Sequence, residues 1–403
     1  MKAILHVSFV VLTVLIVSCS GEQPEDNTVK ISLDLSRAEA LRGADVFESL
    51  EYIPLDSRQD SFLFAGSYPP QSKYHFDGTY FYIFEKNPSE AIYIFDKKGT
   101  FTSRITNVGD GPITMSSIRD FWINPDHSVE VLDGIRKKIF RYDVKGKLLD
   151  ILPTAYPFDQ MVKFNNGEKY LFYIPPDKAF EQPKEQLFHI GDTPTDITTS
   201  LESVEISGNF FPRIQYNFSN VVDDHVLFYH FLSNKIYQIS ESGLEAKYSI
   251  QCDSWADETF ITTYRRTPVN EQIRVLNAED AKIDGIFFLQ EFEHHLFFCF
   301  FHQRIFYLAF FDKNTQETKL YYTKYNDYTA NNIDQGLIPY MPLASYDGKY
   351  LVFSHAPQRV VKHANRIQGQ LNKNNTFLQL SQDLRETDNR VLVLAKLKPE
   401  LRS

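Results

Sequence analysis

The sequence is short of most residues and patterns that would assign it quickly. Three cysteines in 403 residues are too few for a disulfide-built scaffold. Four methionines against 34 phenylalanines and 23 tyrosines are not the composition of a helical chain, which leans on Ala, Leu and Met. Lysine and arginine number 42 against 52 acidic residues, a formal charge of −10. The concentrated basic face that phosphates demand is therefore missing, and nucleic acid is not an expected partner. Gly-x-Ser-x-Gly, His-Glu-x-x-His, Cys-x-x-Cys and a phosphate-cradling glycine loop are all absent. Hydrophobic content of 43% with 23% charge excludes a mainly disordered chain. What is abundant is aromatic surface, 15% of all residues. Such side chains fit the pleated, half-buried face of a strand, so the expected class is all-β.

The N-terminus carries an address. Residues 1–18 read as a secretory signal, with Lys2 in the n-region and an apolar run from Ile4 to Val17 broken only by His6, Ser8 and Thr13. The run is too short for a comfortable span of about 20 residues. It ends Leu15-Ile16-Val17-Ser18-Cys19, which resembles the lipobox of bacterial lipoproteins, where the Cys becomes the acylated N-terminus. Residues 19–28 are polar and acidic and are read as a lipidated, flexible tether. Ser20 is not Asp, which by the usual sorting resemblance argues against inner-membrane retention; the acidic residues after it resemble surface-export tethers of Bacteroidetes lipoproteins. Removing 1–18 deletes one lysine and no acid, leaving Cys252 and Cys299 beside the lipidated Cys19. A disulfide between them is permitted in that compartment, and a buried free thiol at Cys299, inside an apolar strand, is the other reading.

A period organises the remainder. Ile92–Phe95 precedes Asp96-Lys97-Lys98-Gly99, Ile139–Tyr142 precedes Asp143-Val144-Lys145-Gly146, and Ile236–Ile239 precedes Ser240-Glu241-Ser242-Gly243. Weaker copies stand at Gly191-Asp192 and Asp312-Lys313-Asn314. These are turns between outer strands of a repeated unit. The steps between positions 96, 143, 192, 240 and 312 are 47, 49, 48 and 72. The long last step is explained by a helical insertion at about 254–281, and a second insertion at about 355–387, with a helix near 376–384, accounts for the excess before Val391–Leu394. Six units of about 48 residues and two insertions fill the span from Leu50 to Leu397, which predicts a six-bladed β-propeller over residues 29–403 with small helical insertions. Ring closure demands that an N-terminal strand complete the sheet holding Val391–Leu397.

Several segments together resemble one family, the six-bladed β-propeller lipoproteins of Bacteroidetes. They are the opening Val46–Leu55, Ile92–Gly99, Asn234–Ile239, Tyr325-Asn326-Asp327 and the closing Glu386–Val393. Two departures stand out: Gly109–Thr114 keeps only the front half of the family's Gly-Pro-Gly-Glu-like turn, and Arg390 stands where the family tends to have Pro. The resemblance implies a fold and no settled activity.

Chemistry-bearing residues are sparse. His294, His295 and His302 are the best metal candidates, yet alternation along a strand lets at most two share a face, so no metal or other cofactor is expected. Asp223-Asp224 and the pair Glu291 and Glu293 read as turn and strand-end acids, and Arg359, Lys362, His363 and Arg366 as a solvated helix face in the second insertion. A propeller gathers polar groups where inner strands converge on the channel mouth. Inner strands are expected near 117–122, 158–164, 213–221, 286–291 and 339–343, and Arg119, Gln160, Arg213, Asn217 and Gln290 are the candidate ligand-binding residues, structural pairing being the competing role. The expected function is a monomeric, lipid-anchored module of the outer membrane, on its surface or periplasmic face, that binds or scaffolds a protein, peptide or glycan. A hydrolase or lyase at the channel mouth is the alternative.

Overall fold

The computed structural model describes residues 28–402 except for 64–71, 87–89, 107, 112, 165–168, 175–185, 203–216, 277, 279, 304, 325–340, 368 and 370–375. The expected lipid-bearing Cys19 and its tether, and the candidate Arg213, lie outside the described residues. Three strands come first: β1 (Val29–Ser32), β2 (Glu39–Ala40) and, after the short helix α1 (Gly43–Val46), β3 (Phe47–Pro54). Blade 1 is β4 (Ser72–Phe76), β5 (Tyr80–Glu85), β6 (Ala91–Asp96) and β7 (Phe101–Ile105). Blade 2 is β8 (Asp120–Ile123), β9 (Val129–Asp133), β10 (Lys138–Tyr142) and β11 (Leu148–Pro153). Blade 3 is β12 (Gln160–Phe164), β13 (Lys169–Tyr173), β14 (Gln186–Gly191) and β15 (Ile197–Glu202). Blade 4 holds β16 (Phe218–Val222), β17 (His225–Tyr229), β18 (Lys235–Ser240) and β19 (Gly243–Gln251). After helices α2 (Glu258–Arg266) and α3 (Val269–Leu276), blade 5 holds β20 (Ile286–Glu291), β21 (His295–His302), β22 (Ile305–Asp312) and β23 (Thr318–Lys324). Blade 6 begins with β24 (Ala344–Tyr346) and β25 (Tyr350–His355), passes through helices α4 (Pro357–Ile367) and α5 (Thr376–Asp383), and returns as β26 (Val391–Leu397) before a final turn of helix, α6 (Pro399–Arg402).

This is the six-bladed β-propeller with helical insertions that the period predicts. The repeating turns fall between the third and fourth strands, and those of blades 1 and 2 use their leading aspartate alike. Asp96 Oδ1 accepts from the Lys98 and Thr100 N–H groups at 2.8 and 2.9 Å, and Asp143 Oδ1 from Lys145 and Lys147 at 2.9 and 2.8 Å. The glycine that follows, Gly99 or Gly146, supplies φ of 85° or 80°. At Gly99 the demand is double, because a Cβ there would collide with the Pro54 carbonyl oxygen at the end of β3.

The core lies between blades rather than inside a two-layer sandwich. Along β21, Leu296, Phe298 and Phe300 pack with Leu227 and Tyr229 of blade 4, while Phe297 and Cys299 pack with Phe353 and Val393 of blade 6. Strand β5 divides in the same way, Phe81 and Ile83 facing blade 6 and Tyr82 and Phe84 facing blade 2. A strand buried on both faces reads as a continuous apolar run, and each large side chain so buried contributes roughly 1.5–3 kcal/mol. The aromatic excess is therefore the mortar between blades. Cys252 and Cys299 are both free thiols, and burial pushes the Cys299 thiol well above its usual range.

Closure follows the expectation, with an addition. β3 pairs antiparallel with β26, Ile53 opposite Leu392 and Leu50 opposite Ala395, and becomes the outer strand of blade 6. Upstream, β1 runs parallel to β19 and β2 parallel to β23, adding a fifth strand to blades 4 and 5. The N-terminal segment thus runs along the outer rim of three successive blades before the chain enters blade 1. Short parallel pairings of four and two residues carry too weak a pattern to be read from the sequence.

Candidate functional site

Six inner strands, β4, β8, β12, β16, β20 and β24, converge on the axis and enclose a cavity of about 580 Å³. The expected inner strands in blades 2 to 5 agree with those seen, whereas that of blade 6 begins at Ala344, after the expected 339–343. An inner strand has one sheet partner, so its other edge of N–H and C=O groups faces the channel unpaired. In this molecule side chains from neighbouring blades cap many of those groups. Lys73 Nζ of blade 1 donates to Asp120 Oδ1 at 2.5 Å and to the Phe121 carbonyl at 2.9 Å in blade 2, and lies 4.9 Å from the centre of the Phe121 ring. Asp120 Oδ2 accepts from the Met161 N–H of blade 3 at 2.9 Å. Between blades 4 and 5, Asn220 takes the Glu291 N–H at 2.8 Å and gives its own amide to the Glu291 carbonyl at 2.8 Å. At the junction of blades 6 and 1 the contact is aromatic, Phe76 lying 5.0 Å from Tyr346.

In the wall itself, between blades 2 and 3, sits a buried charged cluster. Lys163 Nζ donates to Glu130 Oε1 at 2.8 Å and Asn124 Oδ1 at 2.9 Å and lies 4.5 Å from the centre of the Tyr170 ring, whose hydroxyl donates to Glu130 Oε2 at 3.1 Å. Lys163 and Glu130 are only 6% and 3% exposed, so their charges survive because they are paired and hydrogen-bonded. Neither residue belongs to the sequence-predicted set, though the signal was present: Asp120 and Lys163 are charges inside otherwise apolar inner strands.

Of the sequence candidates, Gln160 and Gln290 line the cavity, and both are engaged across a blade junction. Gln160 Nε2 donates to Asn217 Oδ1 at 3.2 Å, and Asn217 in turn donates to the Tyr229 carbonyl at 2.9 Å. Ser345 Oγ donates to Gln290 Oε1 at 2.5 Å. Asn217 itself is not among the lining residues, and neither is Arg119, which precedes β8 and packs its stem near Gly134. The channel residues are therefore in large part clasps between blades.

Among the ionisable groups on the wall, Lys73 and Asp120 hold each other; burial pushes the Asp120 carboxyl up, and the Lys73 ammonium and two N–H donors oppose it. Asp77 accepts from the Thr79 and Tyr80 N–H groups, the Tyr82 hydroxyl and His127 Nδ1, all at 2.8–2.9 Å; burial pushes its carboxyl up, and these donors together outweigh it and hold the carboxyl low. His75 differs: burial, with Lys73 beside it, drops its pKa to about 4, leaving a neutral imidazole on the wall at physiological pH.

The other sequence candidates are elsewhere. His295 and His302 stand at opposite ends of β21, and among the described residues no group of three His, Cys, Asp or Glu side chains gathers for a metal. Glu291 meets His225 at 2.8 Å and Lys313 at 3.2 Å, a cluster that holds the carboxyl low against burial, while Asp223, Asp224 and Glu293 are exposed. On α4 the side chains of Arg359, Lys362 and Arg366 face solvent and that of His363 faces inward.

The family described as a domain of unknown function, DUF4934, matches residues 26–396. The chain belongs to this DUF4934 family. A solved structure similar to it, an exported-protein candidate from Bacteroides fragilis, is 17% identical over 92% of this chain and 99% of its own, with a TM-score of 0.70. At that identity the likeness shows the propeller fold alone. A member of the DUF4221 family from Bacteroides vulgatus (12% identity, 88% and 97% covered, TM-score 0.45) and a virginiamycin B lyase from Staphylococcus aureus (10%, 86% and 99%, 0.42) lie too far off to argue from. No curated protein matches the sequence. Among the described residues of this DUF4934 chain, no helix is long and apolar enough to cross a membrane.

Proposed function

We propose that this DUF4934 propeller is a binding module of the bacterial envelope, held at the outer membrane by lipid on Cys19 through the polar tether of residues 19–28, with its ligand seated in the central channel. The observation that carries the reading is the state of the channel wall. The cavity has the volume of a small-molecule site, roughly 300–1,000 Å³. Its acids and ammonium groups are engaged in bonds between blades or in turns. Acid–base or nucleophilic catalysis needs such a group aimed at open space with a proton or lone pair to give. The lipobox-like Leu15–Cys19 and the acidic tether support the anchor. A hydrolase or lyase would have to work from His75, a neutral imidazole with no nucleophile or carboxylate orienting it among the described residues.

One mass-spectrometric experiment reads both halves of the proposal. The full-length chain, purified in detergent from its own membranes, is expected to begin at a lipid-modified Cys19 and, after incubation with an extract of envelope small molecules and gel filtration, to retain a compound recovered chemically unchanged. An unmodified N-terminus would remove the anchor. Catalytic disappearance of a compound from the extract would turn the binder into an enzyme.

A further inference from the structure

The charges around the channel are matched within the wall. Lys73 is neutralised by Asp120 at 2.5 Å and Lys163 by Glu130 at 2.8 Å, and the Asp77 carboxylate is saturated by four donors. His75 adds no charge near neutral pH. An anionic ligand would enter a wall with no unpaired cation to offer, and a cationic one would find the lone pairs of the Asp77 carboxylate already filled; stripping water from an ion so poorly compensated costs several kcal/mol.

The hydrogen-bonding capacity of the side chains is limited in the same way. Gln160 is joined to Asn217, Gln290 to Ser345, and both ends of the Asn220 amide to Glu291. Ser219 Oγ donates to the Asn220 carbonyl and accepts the Leu227 N–H. A polyhydroxylated ligand would find few open side-chain partners and would have to bond the uncapped strand edges instead, and each bond left unmade costs about 1–3 kcal/mol. What the wall does expose is half-buried apolar surface: Trp122 from blade 2, Phe287 and Phe288 from blade 5, and Met341 and Leu343 leading into blade 6. On β4, between blades 6 and 2, is the imidazole of His75, whose ring takes no hydrogen-bond partner among the described residues and which offers one donor and one acceptor.

We infer that the central channel takes an uncharged, predominantly apolar small molecule with a flat face, stacked against Trp122 and the Phe287–Phe288 wall and oriented by one or two hydrogen bonds to His75. The inference rests on the channel-binding reading above and narrows it, favouring such a molecule over a glycan.

The test compares two fluorescent dyes of one shape, neutral N-phenyl-1-naphthylamine and its anionic relative 8-anilinonaphthalene-1-sulfonate, with a neutral disaccharide as third probe. The lipid-free folded chain is expected to bind one equivalent of the neutral dye, with quenching of tryptophan emission, and to bind the anionic dye at least about tenfold more weakly. Leu343→Lys places an unpaired ammonium on the wall and is expected to reverse that order. Leu149→Lys places the same charge on the exposed outer strand β11, outside the cavity lining, and is expected to leave both dyes within about twofold, while the melting temperature of Leu343→Lys reads whether that variant is folded. Equal binding of both dyes, binding of neither, or an unchanged order of the dyes in a folded Leu343→Lys would overturn the inference. Tight binding of the disaccharide with tryptophan quenching would overturn the ligand class and leave the channel as a binding site. No binding of any probe, together with nothing retained from the envelope extract, would remove the binding reading itself.

Discussion

Single residues hold the ring at its seam. Asn389, 1% exposed, stands just before β26, and its side chain ties together the segment that leaves β3. Its amide donates to the Asp56 and Ser61 carbonyls at 3.0 and 2.8 Å, its Oδ1 accepts the Leu63 N–H at 3.2 Å, and its own N–H donates to Ser57 Oγ at 2.9 Å. This gives a physical reason for the Asp388-Asn389 step in the closing motif: one amide caps three backbone groups that no sheet reaches. Asn389→Ala would leave the Ser61 carbonyl and the Leu63 N–H without that partner at about 1–3 kcal/mol each, less whatever water recovers, while the Asp56 carbonyl keeps the Ser61 hydroxyl at 2.7 Å. The expected outcome is a lower unfolding midpoint in urea with an unchanged slope, and a midpoint equal to wild type would show the clasp to be dispensable.

At the scale of elements, the three N-terminal strands are unequal. β3 supplies a whole outer strand to blade 6 and places Phe47 edge-on to Phe353 at 5.9 Å, whereas β1 adds only an outer fifth strand to a blade already complete. Starting the chain at residue 34 is therefore expected to lower the melting temperature modestly and keep one cooperative transition. Starting it at residue 57 exposes the full edge of β26 and is expected to abolish that transition and promote aggregation. A chain beginning at residue 57 that melts sharply at the wild-type temperature would refute closure by β3. The helical insertions also have physical tasks. Asp257 caps α2 by accepting the Phe260 N–H at 2.8 Å, and Trp255, whose indole donates to the Ser233 carbonyl at 2.9 Å, anchors the insertion against blades 4 and 5. The α4–α5 pair buries Val360, Ala364 and Phe377 together with Val391 of β26.

Over the whole molecule, burial has left several histidines neutral, and this sets a pH limit. His75, His230 and His363 each have a pKa lowered to about 4, by burial first and then by Lys73, Arg265 and Arg366 respectively. In the unfolded chain such groups titrate near 6.5. Between about pH 6.5 and 4 the unfolded state therefore binds more protons than the folded one, so stability rises with pH across that window and is lost as the pH falls through it. Carboxylates held low in the fold, Glu291 and Asp77 among them, extend the loss below that window. The expected record is a melting temperature level above pH 7 that declines from pH 6.5 towards 4, with net proton uptake on unfolding in that window. A flat profile across that window would contradict the burial of these rings.

The sequence by itself determined the number of blades, the turns between outer strands, the positions of both insertions and that an N-terminal strand closes the ring. These are local or periodic features: an aspartate that starts a turn, a glycine that permits positive φ, a run of apolar residues buried on both faces. It also marked Gln160, Asn217 and Gln290 as polar residues near the axis, yet left their role divided between pairing and ligand. Only the tertiary structure decided that they clasp neighbouring blades, that Lys73 meets Asp120 and Lys163 meets Glu130, and that β1 and β2 run along blades 4 and 5. Such contacts join residues 33 to more than 200 positions apart, across blades whose relative rotation no single strand encodes. Periodicity reports which side of a strand is buried. What that side touches, and whether a charge there is paired or open to a ligand, depends on how the ring closes.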